Sequence, residues 1–122
     1  MTEQIIIRNV MRITEGRLDR FKDAVRQAID FVGQNGPQLT VRTFIDEAGM
    51  RAVSIQLYRN SKDILRHWQM SDPHIQAVSE HCTVESIEIC GSVSKEVEAG
   101  FAPFVADGRG RIVRPFAGFA RF

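Results

Sequence analysis

Four stretches of this chain alternate apolar and polar residues with a period of two. The two stretches between them repeat every three to four residues instead. From Gln4 to Ile13 the odd positions are Ile5, Ile7, Asn9, Met11 and Ile13, and the even ones are Ile6, Arg8, Val10 and Arg12. This alternation predicts a strand with one polar intruder, Asn9, on its more apolar face. Gln38–Asp46 repeats the pattern with Leu39, Val41, Thr43 and Ile45 on one side. In Arg51–Arg59, Val53, Ile55 and Leu57 alternate with Ser54, Gln56 and Tyr58, and Thr83–Gly91 carries Val84, Ile87 and Ile89. Glu47-Ala48-Gly49-Met50 joins the second and third strands as a hairpin connection.

The helical patterns are equally distinct. Leu18, Phe21, Val25, Ala28, Ile29 and Val32 form one apolar stripe, with Arg17, Asp19, Arg20, Lys22, Asp23 and Arg26 opposite it. Thr14 stands where it can cap that helix, and Gly33 and Gly36-Pro37 are placed to end it. Ser61 is placed to cap a second helix reaching about Met70, with Ile64, Leu65 and Trp68 on its apolar side. Asp72-Pro73 then reads as a fresh start, so the second helix is expected in two pieces, the latter carrying Ile75 and Val78. The order is βαββαβ. It predicts an α+β sandwich: a four-stranded antiparallel sheet with both helices on one face. The opposite face, carrying Val and Ile, then needs a cover, and a second copy of the same sheet supplies one as a homodimer.

The chain has 122 residues, enough for one domain with a real core. Its net charge of +1 sets up no field that favours nucleic acid. Apolar runs are too short to span a membrane, and the Met1-Thr2-Glu3-Gln4 start lacks the regions of a signal peptide, so a cytoplasmic location is expected. Cys82 and Cys90 lack CxxC spacing and read as half-buried thiols in a reducing compartment, so no metal is expected.

After Val93 the composition changes. Residues 94 to about 102 read as a short helix, and an arm rich in Phe, Arg and Gly follows. The chain thus divides into a core domain, 1–93, and an extension, 94–122. Five of the eight phenylalanines lie from Phe101 to Phe122. A free tail rarely carries so many aromatics, so the arm is expected to dock on its own domain or on a dimer partner. Gly108-Arg109-Gly110 follows no strand and is no phosphate loop.

Candidate functional residues follow from this layout. Asn9 is a polar side chain on a buried face; it either bonds backbone or water, or donates to a substrate oxygen. Trp68 is a core residue or a pocket wall whose indole N–H wants an acceptor. His74, one residue after Pro73 at a helix start, is a candidate base near neutral pH or an exposed cap. Tyr58 lines the polar end of a pocket or closes the sheet.

The Ile13-Thr14-Glu15-Gly16-Arg17 segment with Phe21, then Leu57-Tyr58-Arg59-Asn60-Ser61-Lys62, then Trp68 with Ser71-Asp72-Pro73-His74, resembles the antibiotic biosynthesis monooxygenase superfamily over about Gln4–Val93. The resemblance implies a ferredoxin-like subunit, a homodimeric α+β barrel and a small-molecule pocket between helices and sheet. It implies cofactor-independent oxidation of a small aromatic or quinone-like molecule, with Asn9, Trp68 and His74 as catalytic candidates and no cofactor. The alternative it leaves open is a non-catalytic ligand-binding or stress-related barrel. A haem-degrading branch uses an asparagine, a tryptophan and an axial histidine. Asn9 and Trp68 match the first two, whereas Val78 occupies the histidine register, with His74 one turn before it and His81 three residues after. Val78 and His81 join Tyr58 as candidate substrate-binding residues.

Overall fold

The computed structural model describes residues 4–121. The strands are β1 (Ile5–Ile13), β2 (Thr40–Asp46), β3 (Arg51–Tyr58), β4 (Cys82–Cys90) and β5 (Gly110–Val113); the helices are α1 (Leu18–Asn35), α2 (Ser61–Ser79) and α3 (Lys95–Ala106). The sheet has five strands in the order β2-β3-β1-β4-β5. The first four are antiparallel as expected, and β5 adds a short parallel strand beside β4. Periodicity missed β5 because four residues give only two alternations and its Gly-Arg start reads as a turn.

Local chemistry fixes the elements. The hairpin after β2 closes when the Gly49 N–H donates to Asp46 Oδ1 at 3.1 Å. The α2 cap is Asn60, whose Oδ1 accepts from the Asp63 N–H at 3.0 Å. Ser61, the expected cap, instead accepts from the Ser94 N–H at 2.9 Å. Thr14 caps nothing; α1 starts at Arg17 without a side-chain bond, and Thr14 closes the preceding turn through its backbone. The second helix is not broken: α2 runs unbroken through Pro73 to Ser79. Pro73 and Gln69, whose carbonyl loses its partner, are both exposed, so water can serve that carbonyl.

The alternation of β1 carries through to burial. Ile5, Ile7, Met11 and Ile13 are buried under the helices, while Ile6, Arg8 and Arg12 are exposed. The core falls into two clusters. One joins Ile5, Ile7, Tyr58, Ile64, Ile89 and Phe101; the other joins Met11, Ile13, Phe21 and Ala52. Asn9 lies on β1 between them. Its cross-strand neighbour on β3 is Ser54, which in turn faces Thr43 on β2. A polar row thus crosses the sheet where the apolar core divides.

The extension docks in part. The expected short helix is longer, Lys95–Ala106, with Val97 and Phe101 buried in the first core cluster and Phe104 packed against it. Beyond β5, Phe116 and Phe119 are 101% and 79% exposed, so they do not dock on their own domain. Phe122 lies outside the described residues. On the helix-free face of the sheet Ile6, Phe44, Ile55 and Val113 are exposed, among the ion pairs Arg8–Glu88, Arg111–Glu88 and Arg51–Glu85.

Candidate active site

A cavity of about 390 Å³ lies between helices and sheet where the core divides. Its floor is the polar row of Asn9, Ser54 and Thr43, flanked by Gln56 and Tyr58 of β3. Its roof comes from α1 through Val25, Ala28, Ile29 and Val32, and from α2 through His67, Ser71, His74 and Val78. These α2 residues recur at steps of three and four, which puts them on one helical face. Trp68 of α2 and Gly100, Phe101 and Phe104 of α3 make an end wall. Among the described lining residues Asp72 is the only charged one, and no lysine or arginine is present.

Several residues of the lining hold buried polar atoms that lack a partner. Among the described residues, the buried side-chain oxygens and nitrogens without a partner are Asn9 Oδ1, Gln38 Oε1, His67 Nδ1 and Ser71 Oγ. All four residues line the one cavity. A buried polar atom without a partner costs about 1–3 kcal/mol, so the cavity is walled by residues whose polar groups are not satisfied within the protein. The Tyr58 hydroxyl, by contrast, is engaged: it donates to Gln56 Oε1 at 2.5 Å, and the Gln56 amide donates to Ser54 Oγ at 3.5 Å. Burial pushes the Tyr58 phenol well above its ordinary range, opposed in part by the Gln38 side chain, so it stays protonated.

His67 carries the strongest chemical signal. Its ring is 8% exposed, and burial alone pulls its pKa from 6.5 down to about 4. Near neutral pH the imidazole is therefore uncharged, and its buried Nδ1 has no partner. His74 also lines the space, its ring stacked on Phe31 at 4.6 Å between centroids. Cys82 lines the cavity as well, but burial raises its thiol to about 11, which keeps it protonated and a poor nucleophile.

The structure brings together Asn9, Trp68, His74, Tyr58 and Val78 around one cavity. His81 is not among the lining residues: its Nδ1 lies 3.4 Å from Arg17 Nη1, at the turn before β4. Val78, in the axial register of the haem-degrading branch, lines the cavity, and the imidazoles on the lining are those of His67 and His74. Among the described residues no group of three or more His, Cys, Asp or Glu is placed to hold a metal. Sequence reasoning missed His67, Ser71 and Gln38. The signal for the first two was present, since His67 stands three residues after Ile64 and four before Ser71 on the buried face.

A subunit of this kind, three helices over one face of an antiparallel core sheet with a chamber between, defines a recognisable class. Solved structures share it. MupZ from Pseudomonas fluorescens is similar at a TM-score of 0.78 and 15% identity, over 99% of this chain and 91% of that one. SnoaB from Streptomyces nogalater, a cofactor-independent oxygenase, is similar at 0.62 and 13%, over 71% of this chain and 90% of its own. A Nitrosomonas europaea protein provisionally described as an antibiotic biosynthesis monooxygenase is similar at 0.61 and 13%, over 73% and 88%. No protein-family model matches the sequence, and no curated protein is significantly similar to it. The fold is that of the antibiotic biosynthesis monooxygenases.

Proposed function

We propose that this protein is a cofactor-independent oxygenase acting on a small, uncharged aromatic or quinone-like molecule held in the cavity. The observation that carries this reading is that the four residues with buried, unpartnered polar atoms all line one otherwise largely apolar cavity. A lining without lysine or arginine suits a neutral ligand better than a phosphate or carboxylate. In the proposed reaction, dioxygen converts an activated ring CH₂ into C=O with release of water. The His67 ring takes a proton from the bound carbon acid or phenol, the imidazolium being offset by the oxyanion formed beside it, and the Asn9 side-chain N–H donates to that oxyanion. That anion gives an electron to dioxygen. The radical pair recombines to a peroxide, which takes up the proton and loses water. Trp68 and His74 bound the ring plane, and Tyr58 fixes Gln56 and Ser54.

Oxygen uptake with anthrone as the test substrate checks this directly. Asn9→Ala and His67→Ala are each expected to lower kcat by about 10²-fold with the circular dichroism spectrum unchanged. Binding of the probe without oxygen uptake, or turnover unchanged in both folded variants, overturns the proposal; binding alone would leave a ligand-binding barrel. The proposal includes a cytoplasmic location, suited to the two free cysteines. It also includes a homodimer, formed where Ile6, Phe44 and Ile55 stand exposed on the helix-free face of the sheet.

A further inference from the structure

We propose that Gly100 of α3 is a specificity-determining residue: by having no side chain it lets the Trp68 indole stand back against α3, and so sets how large a molecule the cavity accepts. A Cβ at position 100 would lie 2.3 Å from Trp68 Cζ3, 2.7 Å from Cη2 and 3.3 Å from Cε3. Carbon atoms settle at about 3.5–4.0 Å, so the indole and any side chain at 100 exclude each other. Trp68, Gly100, Phe101 and Phe104 all line the cavity.

The helix cannot yield instead. Its start is tied to α2 by the Ser94 N–H to Ser61 Oγ bond of 2.9 Å. Its middle is held by Val97 and Phe101, both buried. Its end is pressed against β5, where a Cβ on Gly110 would stand 2.8 Å from Phe104 Cβ. With α3 clamped, the clash falls on the indole. Phe101 packs on that ring edge-on at 5.2 Å between centroids, which leaves the cavity as the space into which it moves. The wall comes from residues beyond the β1–β4 core, so the extension tunes a chamber that the core builds. The likeness to MupZ, covering 99% of this chain, takes in this extension.

The position of the ring is independent of what the cavity binds; the consequence for ligands rests on the oxygenase reading above. Crystal structures of Gly100→Ala and Trp68→Phe/Gly100→Ala, with calorimetric titration of 1-naphthol and anthrone, test it. In Gly100→Ala the indole is expected inside the cavity, with anthrone affinity down about tenfold and 1-naphthol little changed. The double variant, lacking the outer indole ring, is expected to recover anthrone binding. Alanine in place of a helical glycine ordinarily stabilises, so a lowered Tm in Gly100→Ala would mark the clash. An indole unmoved or swung into solvent, or a raised Tm, overturns the proposal. If Gly100→Ala does not accumulate, the double variant is expected to fold with a near-wild-type Tm, and its failure overturns the proposal equally. A displaced indole in a protein whose wild type binds neither probe sustains the role of Gly100 and defeats the ligand reading.

Discussion

At the scale of the residue, His67 links stability to pH in a direction its burial dictates. The folded protein holds the imidazole near 4, below its ordinary 6.5, so the fold disfavours the charged ring. The contribution is fully present above pH 6.5 and is lost as pH falls from 6.5 toward 4, on the order of 2–3 kcal/mol in all. Urea unfolding across that range should show wild-type stability falling more steeply than that of His67→Gln, and parallel curves would refute the assignment. The site was partly legible in the sequence. Asn9 announced itself because one amide among isoleucines breaks a period of two. His67 did not, because it adjoins Trp68 and precedes Pro73, and a helix presumed broken there hides the face that joins 67, 71, 74 and 78. Gln38 reads as the first residue of the second strand, on the side opposite Val41 and Thr43; the strand starts only at Thr40, and in the loop before it Gln38 escapes that alternation and joins them on the lining.

At the scale of the element, the extension divides into a structural and an exposed part. Phe104 and Ile112 pack on the core, β5 is held by the Gly91 N–H to Val113 carbonyl bond of 2.8 Å, and the segment after Val113 is exposed. Removing residues 103–122 is expected to lower Tm by roughly 10 °C, whereas removing 114–122 should leave it within a few degrees. Equal melting temperatures for the two truncations would show that the last turn of α3 and β5 add no stability. The four longer strands and α1 were readable because seven or more residues of alternation, or five turns of stripe, average out single exceptions. The unbroken α2 was not readable. Proline before a histidine gives the same local signal whether it opens a helix or sits in one, and the decision rests on which side of the helix faces water.

At the scale of the whole molecule, one face of the sheet carries the helices and the other is bare. Phe44 on the edge strand β2 is 54% exposed and Ile55 on the neighbouring β3 36%, beside arginine–glutamate pairs that join β1 and β3 to β4. The proposed dimer predicts twice the chain mass by sedimentation, and Phe44→Glu/Ile55→Glu is expected to halve it while keeping the fold. A monomeric wild type would remove the dimer from the proposal. The strand order also has a consequence for how the chain comes to be. β1 is synthesised first yet sits at the centre, paired with β3 on one side and β4 on the other. Its hydrogen bonds on one side wait for β3 and on the other for residues as late as Cys90, so the sheet cannot close around β1 until β4 has left the ribosome. Contacts this remote in sequence make for slow nucleation. Through that interval Ile5–Ile13 keeps at least one edge unpaired, with its apolar face of Ile5, Ile7, Met11 and Ile13 open to a chaperone.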